Sequence, residues 1–184
     1  MSRVRVALLV PDPAYPEDYA WTYDVEAAIL ARAGMDVVAL PWTMIANAGH
    51  VAAFDLVLPL VAWGYNLDYP RWLALLDQAE AERWPLLNPP ALLRWNSDKR
   101  YLHELGAKGV PTVATVEVAA LDPNELRHAA ARLGAHDLVV KPPISAGAHG
   151  TYRIGPDDAI PADVAGRRMM VQPFEPNIAA GEWS

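Results

Sequence analysis

A lysine followed by a glycine-containing loop is the feature of this sequence best suited to chemistry, in the segment DLVVKPPISAGAHG. The apolar run ends at Lys141, and the loop after it holds Ser145, Gly147, His149 and Gly150. Glycine backbones can adopt positive φ and approach a ligand closely, and successive N–H groups there form an anion-binding concavity. The segment therefore predicts a phosphate-binding loop, with Ser145 and His149 as further donors.

This loop permits other interpretations, of which one is excluded. In a Walker A loop the lysine follows the glycines and precedes Ser or Thr, whereas Lys141 precedes the glycines. Lysine, proline and glycine at this spacing also suit an ordinary hairpin turn with a solvated lysine. The loop alone therefore leaves both phosphate binding and a plain turn open.

A second lysine, Lys99, follows a pair of helix-capping residues, Asn96 and Ser97. These predict a helix over 98–108 with Lys99 in its first turn. A lysine there opposes the helix macrodipole by roughly 0.3 to 1 kcal/mol. Either Lys99 binds an anion, or a nearby carboxylate such as Glu104 compensates its charge.

Composition excludes several classes of function. The net charge is −7, with 15 Lys and Arg against 22 Asp and Glu, and no basic stripe is present, which argues against nucleic acid. The absence of cysteine excludes disulfides, thiolate metal sites and a cysteine nucleophile, and the histidines lack metal-binding spacing. The apolar run at 6–10 is too short for a signal peptide or a membrane span. We expect a cytoplasmic protein.

The first part of the chain alternates strands with helices, which predicts a parallel α/β domain over 1–88. Pro89 and Pro90 interrupt this pattern, so the domain boundary is predicted between Asn88 and Pro89. The predicted strands are 4–10, 35–40, 55–61 and 85–88, and the predicted helices are 18–33 and 70–84.

Residues 89–184 mix short strands with helices, which predicts an α+β domain. Its clearest helix opens at Asp122 and Pro123, a capping residue followed by proline, and closes at Gly134. The predicted strands are 111–118, 138–141, 151–154 and 169–172, and the predicted helices are 98–108 and 123–133.

The order of NSDK at 96–99, GVPT at 109–112, VVKP at 139–142 and VQPFE at 171–175 resembles the ATP-grasp family. Within that family, the sequence most resembles ligases similar to glutathione synthetase and the ribosomal-protein glutamate ligases. The resemblance is close from about residue 89 onward and looser over 1–88. It implies an α/β fold with a parallel pre-ATP-grasp substrate domain at 1–88 and an α+β ATP-grasp small lobe at 89–184, the second lobe being missing.

The resemblance also implies roles for individual residues. Two lysines would contact the ATP phosphates, the loop at 145–150 would close over them, and the backbone of 172–174 would bind the adenine edge. Glu182, with Glu175 as second candidate, would accept from the ribose hydroxyls. The implied ATP-binding residues are Lys99, Lys141, Ser145, Gly147, His149, Gly150, Gln172, Phe174, Glu175 and Glu182.

The implied chemistry joins a carboxylate, activated by ATP as an acyl phosphate, to an amine. Family members carry their Mg²⁺ ligands and a catalytic arginine in a lobe after the hinge, where this sequence stops, so no catalytic or metal-binding residue is assigned here. We therefore expect an inactive fragment. The alternative is a non-catalytic nucleotide-binding or scaffold module.

Residues 1–88 are expected to contribute to the substrate pocket, as in the family. A free-standing Rossmann-like binder is a third interpretation, although no G-x-G-x-x-G follows the first strand. An ATP-grasp domain without its second lobe should expose apolar surface, which would favour a homo-oligomer. The candidate pocket residues are Tyr15, Trp63, Tyr65 and Asn66.

Overall fold

The computed structural model of the chain describes residues 3–181. They form two compact units, which divide between Ser97 and Asp98. The predicted fold class is confirmed, because the first unit contains a parallel sheet with helices and the second an antiparallel sheet with helices. No helix in the described range is both long and apolar enough to cross a membrane.

The first unit is built on a three-stranded parallel sheet with its first strand in the centre. That strand is almost fully buried from Val6 to Val10, because its two faces pack on different layers. A run buried on both faces explains why its sequence does not alternate. The elements are β1 (Arg5–Val10), α1 (Ala20–Arg32), β2 (Asp36–Pro41), β3 (Leu56–Leu58), α2 (Tyr69–Ala81) and α3 (Pro90–Asn96), and the sheet order is β2-β1-β3.

The α2 helix covers one face of this sheet. Asp68 caps its amino terminus by accepting a hydrogen bond from the Arg71 N–H at 3.3 Å. Its apolar residues recur at helical spacing and are buried against β1 and β3. These core side chains are Trp72, Leu75, Leu76 and Ala79.

The α3 helix was not predicted, because two successive prolines also indicate a break in the pattern. Proline is favoured in the first turn of a helix, and Pro90 opens this one. Arg94 of α3 pairs with Asp77 and Glu80 of α2, at 2.9 and 3.5 Å. The first compact unit therefore extends through α3, beyond the boundary predicted after residue 88.

The second unit is a four-stranded antiparallel sheet with one face covered by a helix. Leu126, Ala129 and Ala130 of that helix pack on the buried face of the strands. The elements are α4 (Tyr101–Ala107), β4 (Val116–Val118), α5 (Pro123–Leu133), β5 (Leu138–Lys141), β6 (Tyr152–Ile154) and β7 (Met169–Pro173), and the sheet order is β4-β7-β5-β6.

Three predicted strands are much shorter than expected. Of 55–61 only β3 forms. Of 85–88 only a bridge between Val57 and Leu86 remains. Of 111–118 only β4 forms, because the register places residue 114 opposite Pro173, which has no N–H to continue the ladder.

The predicted helix start near Lys99 is also corrected. Asn96 ends α3 and Ser97 is its C-cap, whereas α4 begins only at Tyr101. The macrodipole argument for Lys99 therefore does not apply, and the environment of this lysine is set by tertiary contacts.

The predicted cap of α5 is confirmed, and it supports a stability prediction. Asp122 Oδ1 accepts hydrogen bonds from the N–H groups of Asn124 and Glu125, both at 2.8 Å. We expect Asp122→Ala to lower the free energy of unfolding by about 1 kcal/mol, as measured by urea denaturation. Asn124→Ala, on the same exposed turn, should change it by less than about 0.5 kcal/mol. Equal losses would contradict the capping account.

Candidate functional site

The two lysines singled out in the sequence lie close together in the second unit. Lys141 ends β5, and Lys99 precedes α4. The Lys99 Nζ donates to the Ser145 carbonyl oxygen at 2.6 Å and to its Oγ at 3.0 Å, and the Lys99 N–H donates to the Pro143 carbonyl at 2.8 Å. Lys99 is thus bound to the loop that follows Lys141.

The surroundings of Lys99 disfavour its positive charge. Burial lowers the pKa of Lys99, and the charge of Lys141 lowers it further, although Asp98 partly compensates. The resulting pKa is about 8, against 10.5 for an ordinary lysine. The protonated form of a lysine in such surroundings is stabilised when a negative charge binds beside it.

The loop at 142–150 has the backbone that its sequence predicts. Gly147 and Gly150 have φ of 58° and 67°. A Cβ on Gly150 would lie 3.0 Å from the Pro142 ring, so glycine is required there for space as well as for conformation. Ser145 is buried, whereas the His149 side chain is exposed.

An ion network centred on the buried Asp98 holds the segment that carries Lys99. The Asp98 carboxylate pairs with Arg100 at 3.0 Å and with Arg168 at 3.3 Å, and Arg168 also pairs with Glu117. Burial raises the pKa of Asp98, but the Arg100 N–H and the Arg168 guanidinium outweigh it and keep that pKa below its usual range. Asp98 therefore remains a carboxylate and fixes the backbone beside Lys99.

A cavity of about 330 Å³ opens next to Lys141. Its volume lies at the lower end of small-molecule pockets. Val139 and Lys141 of β5 line it, as expected for alternate residues on one face of a strand. The other lining residues are Val113, Gln172, Pro173, Phe174, Glu175, Asn177, Ile178 and Gly181.

The end of β7 presents main-chain groups on the open side of this cavity. The Phe174 N–H donates to the Asp137 carbonyl at 2.8 Å, so the main chain of Phe174 faces β5. Successive residues of an extended chain point to opposite sides, and Glu175 is still extended at φ −97°, ψ 104°. The Pro173 C=O and the Glu175 N–H therefore point away from β5, to the side where β4 does not extend far enough to pair with them. An acceptor and a donor lie there side by side.

Side chains around this edge are held by specific contacts. The Arg153 guanidinium lies 3.7 Å from the Phe174 ring centroid and pairs with Asp137 at 2.6 Å. The Gln172 Nε2 donates to the Thr115 Oγ1 at 2.7 Å. The Glu175 carboxylate accepts from the Asn177 N–H at 3.1 Å. Glu182, the first candidate for the ribose, lies outside the described residues.

The first unit has a cavity of its own, about 220 Å³, called here the amino-terminal cavity. Tyr15 and Trp63, two of the predicted pocket residues, line it. Gly64 has φ 81°, and a Cβ on it would lie 3.0 Å from the Tyr15 ring. Tyr65 packs on Trp72 at a centroid distance of 5.8 Å and, with Trp63, lines a separate cavity of about 180 Å³ in this unit.

Charged groups in the amino-terminal cavity were not predicted from the sequence. Asp12 accepts from the Thr43 Oγ1 at 2.6 Å and from the Ala14 N–H at 2.8 Å, and these bonds lower its pKa. Arg71 donates to the Thr43 carbonyl, and its charge also lowers the pKa of Asp12. The carboxylates of Asp12 and Asp68 and the guanidinium of Arg71 therefore line one cavity. The aromatic side chains that line it are Tyr15, Trp42 and Trp63. Asn66 does not line it.

Comparisons with known proteins agree with this geometry. Residues 6–88 match the family described as the N-terminal domain of the D-cycloserine synthetase DcsG. The crystal structure of D-cycloserine synthetase DcsG is similar over 92% of this chain, at 26% identity and a TM-score of 0.72. A comparison with curated protein sequences finds no significant match.

Two further solved structures share the fold. The RimK domain ATP-grasp protein of Sphaerobacter thermophilus is 22% identical over 94% of this chain, with a TM-score of 0.63. The D-alanyl-alanine synthetase A of Vibrio cholerae is 13% identical over 95%, with a TM-score of 0.68. The chain spans only 59%, 65% and 60% of the lengths of DcsG and these two proteins, respectively.

Proposed function

We propose that this chain, which is similar to the amino-terminal portion of ATP-grasp ligases, binds ATP in its second unit. In the ligase reaction we propose, ATP activates a carboxylate as an acyl phosphate, which an amine then attacks. The observation that carries the proposal is the meeting of Lys99, Lys141 and the glycine loop beside the 330 Å³ cavity, which we call the nucleotide cavity.

We propose that the adenine lies against the end of β7. The Pro173 C=O would accept from the exocyclic amino group of adenine, and the Glu175 N–H would donate to the neighbouring ring nitrogen. The Phe174 ring, held by Arg153, and the Val139 side chain would form apolar walls. The Gln172 side chain is occupied by Thr115, so its proposed role is to shape the cavity.

The phosphates would extend toward Lys141 and Lys99. Phosphoryl transfer depends mainly on positioning and charge neutralisation, which suits two lysines and a loop of backbone N–H groups. At about 4 Å and an effective dielectric near 20, one lysine–phosphate contact is worth roughly 4 kcal/mol before desolvation. Ser145 and His149 would supply further donors from the same loop.

Mg²⁺ accompanies ATP in this chemistry, where it neutralises phosphate charge. Within residues 3–181, His, Asp and Glu side chains form no group of three that could hold a metal ion. Mg²⁺ usually binds through one or two carboxylates together with substrate phosphates, so a group of three is not required. We therefore assign neither protein ligands to Mg²⁺ nor a reaction step through the metal.

We propose that the amino-terminal cavity holds a small amino-acid-like substrate. Its Arg71 guanidinium suits a carboxylate, and its Asp12 carboxylate suits an ammonium group. DcsG and the Vibrio protein are named for products built from amino acids, which supports this choice. The predicted assignment of 1–88 to substrate and 89–184 to nucleotide stays part of this proposal, as does a cytoplasmic location, where ATP is available.

The proposal for the amino-terminal cavity predicts that a substitution there weakens substrate binding without weakening ATP binding. Arg71→Met should weaken binding of D-alanine about two- to fivefold, because the substrate carboxylate loses its charged partner at an exposed arginine. ATP affinity should not change. Arg71→Lys is the matched control that keeps the charge, and NMR titration of D-alanine checks both. Equal binding to the Met variant and the unaltered chain would exclude Arg71 from the substrate site.

The test of the main proposal is calorimetric titration of the 184-residue chain with ATP, with and without Mg²⁺, followed by an ADP-release assay. We expect binding without sustained turnover. Failure of ATP to bind would overturn the nucleotide assignment. Robust Mg²⁺-dependent turnover by this chain would instead overturn the expectation that it is inactive alone.

A further inference from the structure

Trp63 stands between two cavities of the first unit. One is the amino-terminal cavity of about 220 Å³, and the other is the separate cavity of about 180 Å³. Among the described residues, Trp63 alone lines both of them. Each cavity is smaller than roughly 300 Å³, where ligand pockets usually begin, whereas the two joined together would fall within the usual range. The size of ligand that the amino-terminal cavity accepts therefore depends on Trp63.

The main chain and the ring of Trp63 are both held in place. The Trp63 N–H donates to the Val61 carbonyl oxygen at 2.8 Å, and the Trp63 carbonyl oxygen accepts from the Trp42 Nε1 at 3.0 Å. The ring is half-buried and packs on Trp21 of α1, with the two ring centroids 6.1 Å apart. Because its main chain is hydrogen-bonded on both sides and its ring packs on a neighbour, Trp63 forms a fixed wall.

Two buried tryptophans extend this wall. Trp42 lines the amino-terminal cavity, and Trp72 lines the 180 Å³ cavity. Their rings pack edge-on, with centroids 5.6 Å apart, which is a favourable arrangement for aromatic pairs. Packed aromatic rings therefore separate the two spaces, and of these rings only that of Trp63 belongs to both linings.

The two cavities differ in charge. The amino-terminal cavity is lined by the charged side chains of Asp12, Asp68 and Arg71. None of the described residues that line the 180 Å³ cavity is Asp, Glu, His, Lys or Arg, and we call it the uncharged cavity. An unpaired charge is disfavoured in such surroundings. If the wall were removed, the added space would therefore suit an apolar group and not a charged one.

We propose that Trp63 determines the size of the substrate by closing the uncharged cavity to the side chain of the bound amino acid. This rests on the proposed function, in which the amino-terminal cavity holds an amino-acid-like substrate. With the ammonium group at Asp12 and the carboxylate at Arg71, a large side chain meets the Trp63 wall. Forcing extra atoms into a packed space is unfavourable, so side chains the size of alanine are selected over aromatic ones.

The test compares the binding of D-alanine and D-phenylalanine by NMR titration. The unaltered chain should bind D-alanine at least about tenfold more tightly. Trp63→Ala should lower this ratio at least about tenfold, because the phenyl ring can then enter the uncharged cavity. Trp95→Ala is the matched control, since Trp95 is a half-buried tryptophan of α3 that lines neither cavity. It should leave the ratio within about twofold.

A charged ligand shows which space the phenyl ring enters. D-Phenylalanine with a para-carboxylate differs only by that charge, so Trp63→Ala should bind it at least about tenfold more weakly than D-phenylalanine. Equal binding of these two ligands would mean that the substitution only opened the amino-terminal cavity to solvent, and it would overturn the proposal.

The unaltered chain alone can also overturn the proposal, even where Trp63→Ala fails to fold. If it binds D-alanine and D-phenylalanine equally, Trp63 does not limit substrate size. If it binds neither, the assignment of an amino acid to the amino-terminal cavity fails, and this proposal fails with it. Trp63→Leu, which keeps a side chain against Trp21, should lower the ratio in the same direction as Trp63→Ala but by less, and an unchanged ratio would contradict the proposal.

Discussion

Replacing Lys141 with alanine is expected to raise the Kd for ATP by about 30- to 1,000-fold. Loss of one partner of a desolvated charge pair costs roughly 2 to 4 kcal/mol, and each 1.4 kcal/mol is a factor of ten. Lys141 ends β5, lines the nucleotide cavity and lies near Lys99, so no other lysine can take its place without moving the strand. Calorimetric titration of the variant with ATP measures the effect.

Lys108→Ala is the matched control for this change. Lys108 is the remaining lysine of the sequence and is exposed at the end of α4, away from the cavity lining. It should alter the Kd by less than about twofold, as a surface substitution does. A similarly small effect of Lys141→Ala, with an unchanged urea midpoint, would make Lys141 the solvated lysine of an ordinary turn.

Local sequence signals predict the parts of the fold that depend on neighbours along the chain. The cap at Asp122 and the left-handed C-cap at Gly134, φ 62°, follow from residue types within one helix. The core face of α2 follows from periodicity alone. The loop at 142–150 could be placed because a lysine and two glycines mark it within ten residues.

Structural features that depend on contacts between residues far apart in the sequence were not predicted. Pro89 and Pro90 indicate a break or a helix start equally well, and the contact of Arg94 with α2 decides between them. The end of β4 depends on Pro173, which lies far along the chain. Asp12 and Arg71 share a cavity only because the sheet brings their segments together. Neither residue stands in a recognisable motif.

Lys99 is expected to take up a proton when ATP binds at alkaline pH. Its pKa is about 8 in the free protein, because burial and the Lys141 charge disfavour the ammonium form. Phosphate oxygens beside it favour that form and raise the pKa again. At pH 9 the free lysine is largely neutral and the phosphates are fully ionised, so uptake should approach one proton. At pH 7 Lys99 is already charged and should take up almost none.

The same shift predicts how stability changes with pH in the absence of nucleotide. The folded-state pKa lies below the unfolded value of 10.5, so the unfolded chain binds more protons between about pH 8 and 10.5. This group alone therefore makes the free energy of unfolding rise with pH across that window. Below pH 8 the destabilising contribution of Lys99 to the free energy of unfolding is constant, because the lysine is protonated in both the folded and the unfolded state.

Proton uptake is measured by titrating ATP into the protein at pH 9 in two buffers of different ionisation enthalpy. The difference in apparent binding enthalpy gives the number of protons. Lys99→Met should remove the uptake, and it should also lose the rise in stability between pH 8 and 10.5. The other titrating groups remain in that variant, so an unchanged proton count would show that Lys99 does not meet the phosphates. Its contacts to Ser145 would then serve only to hold the loop.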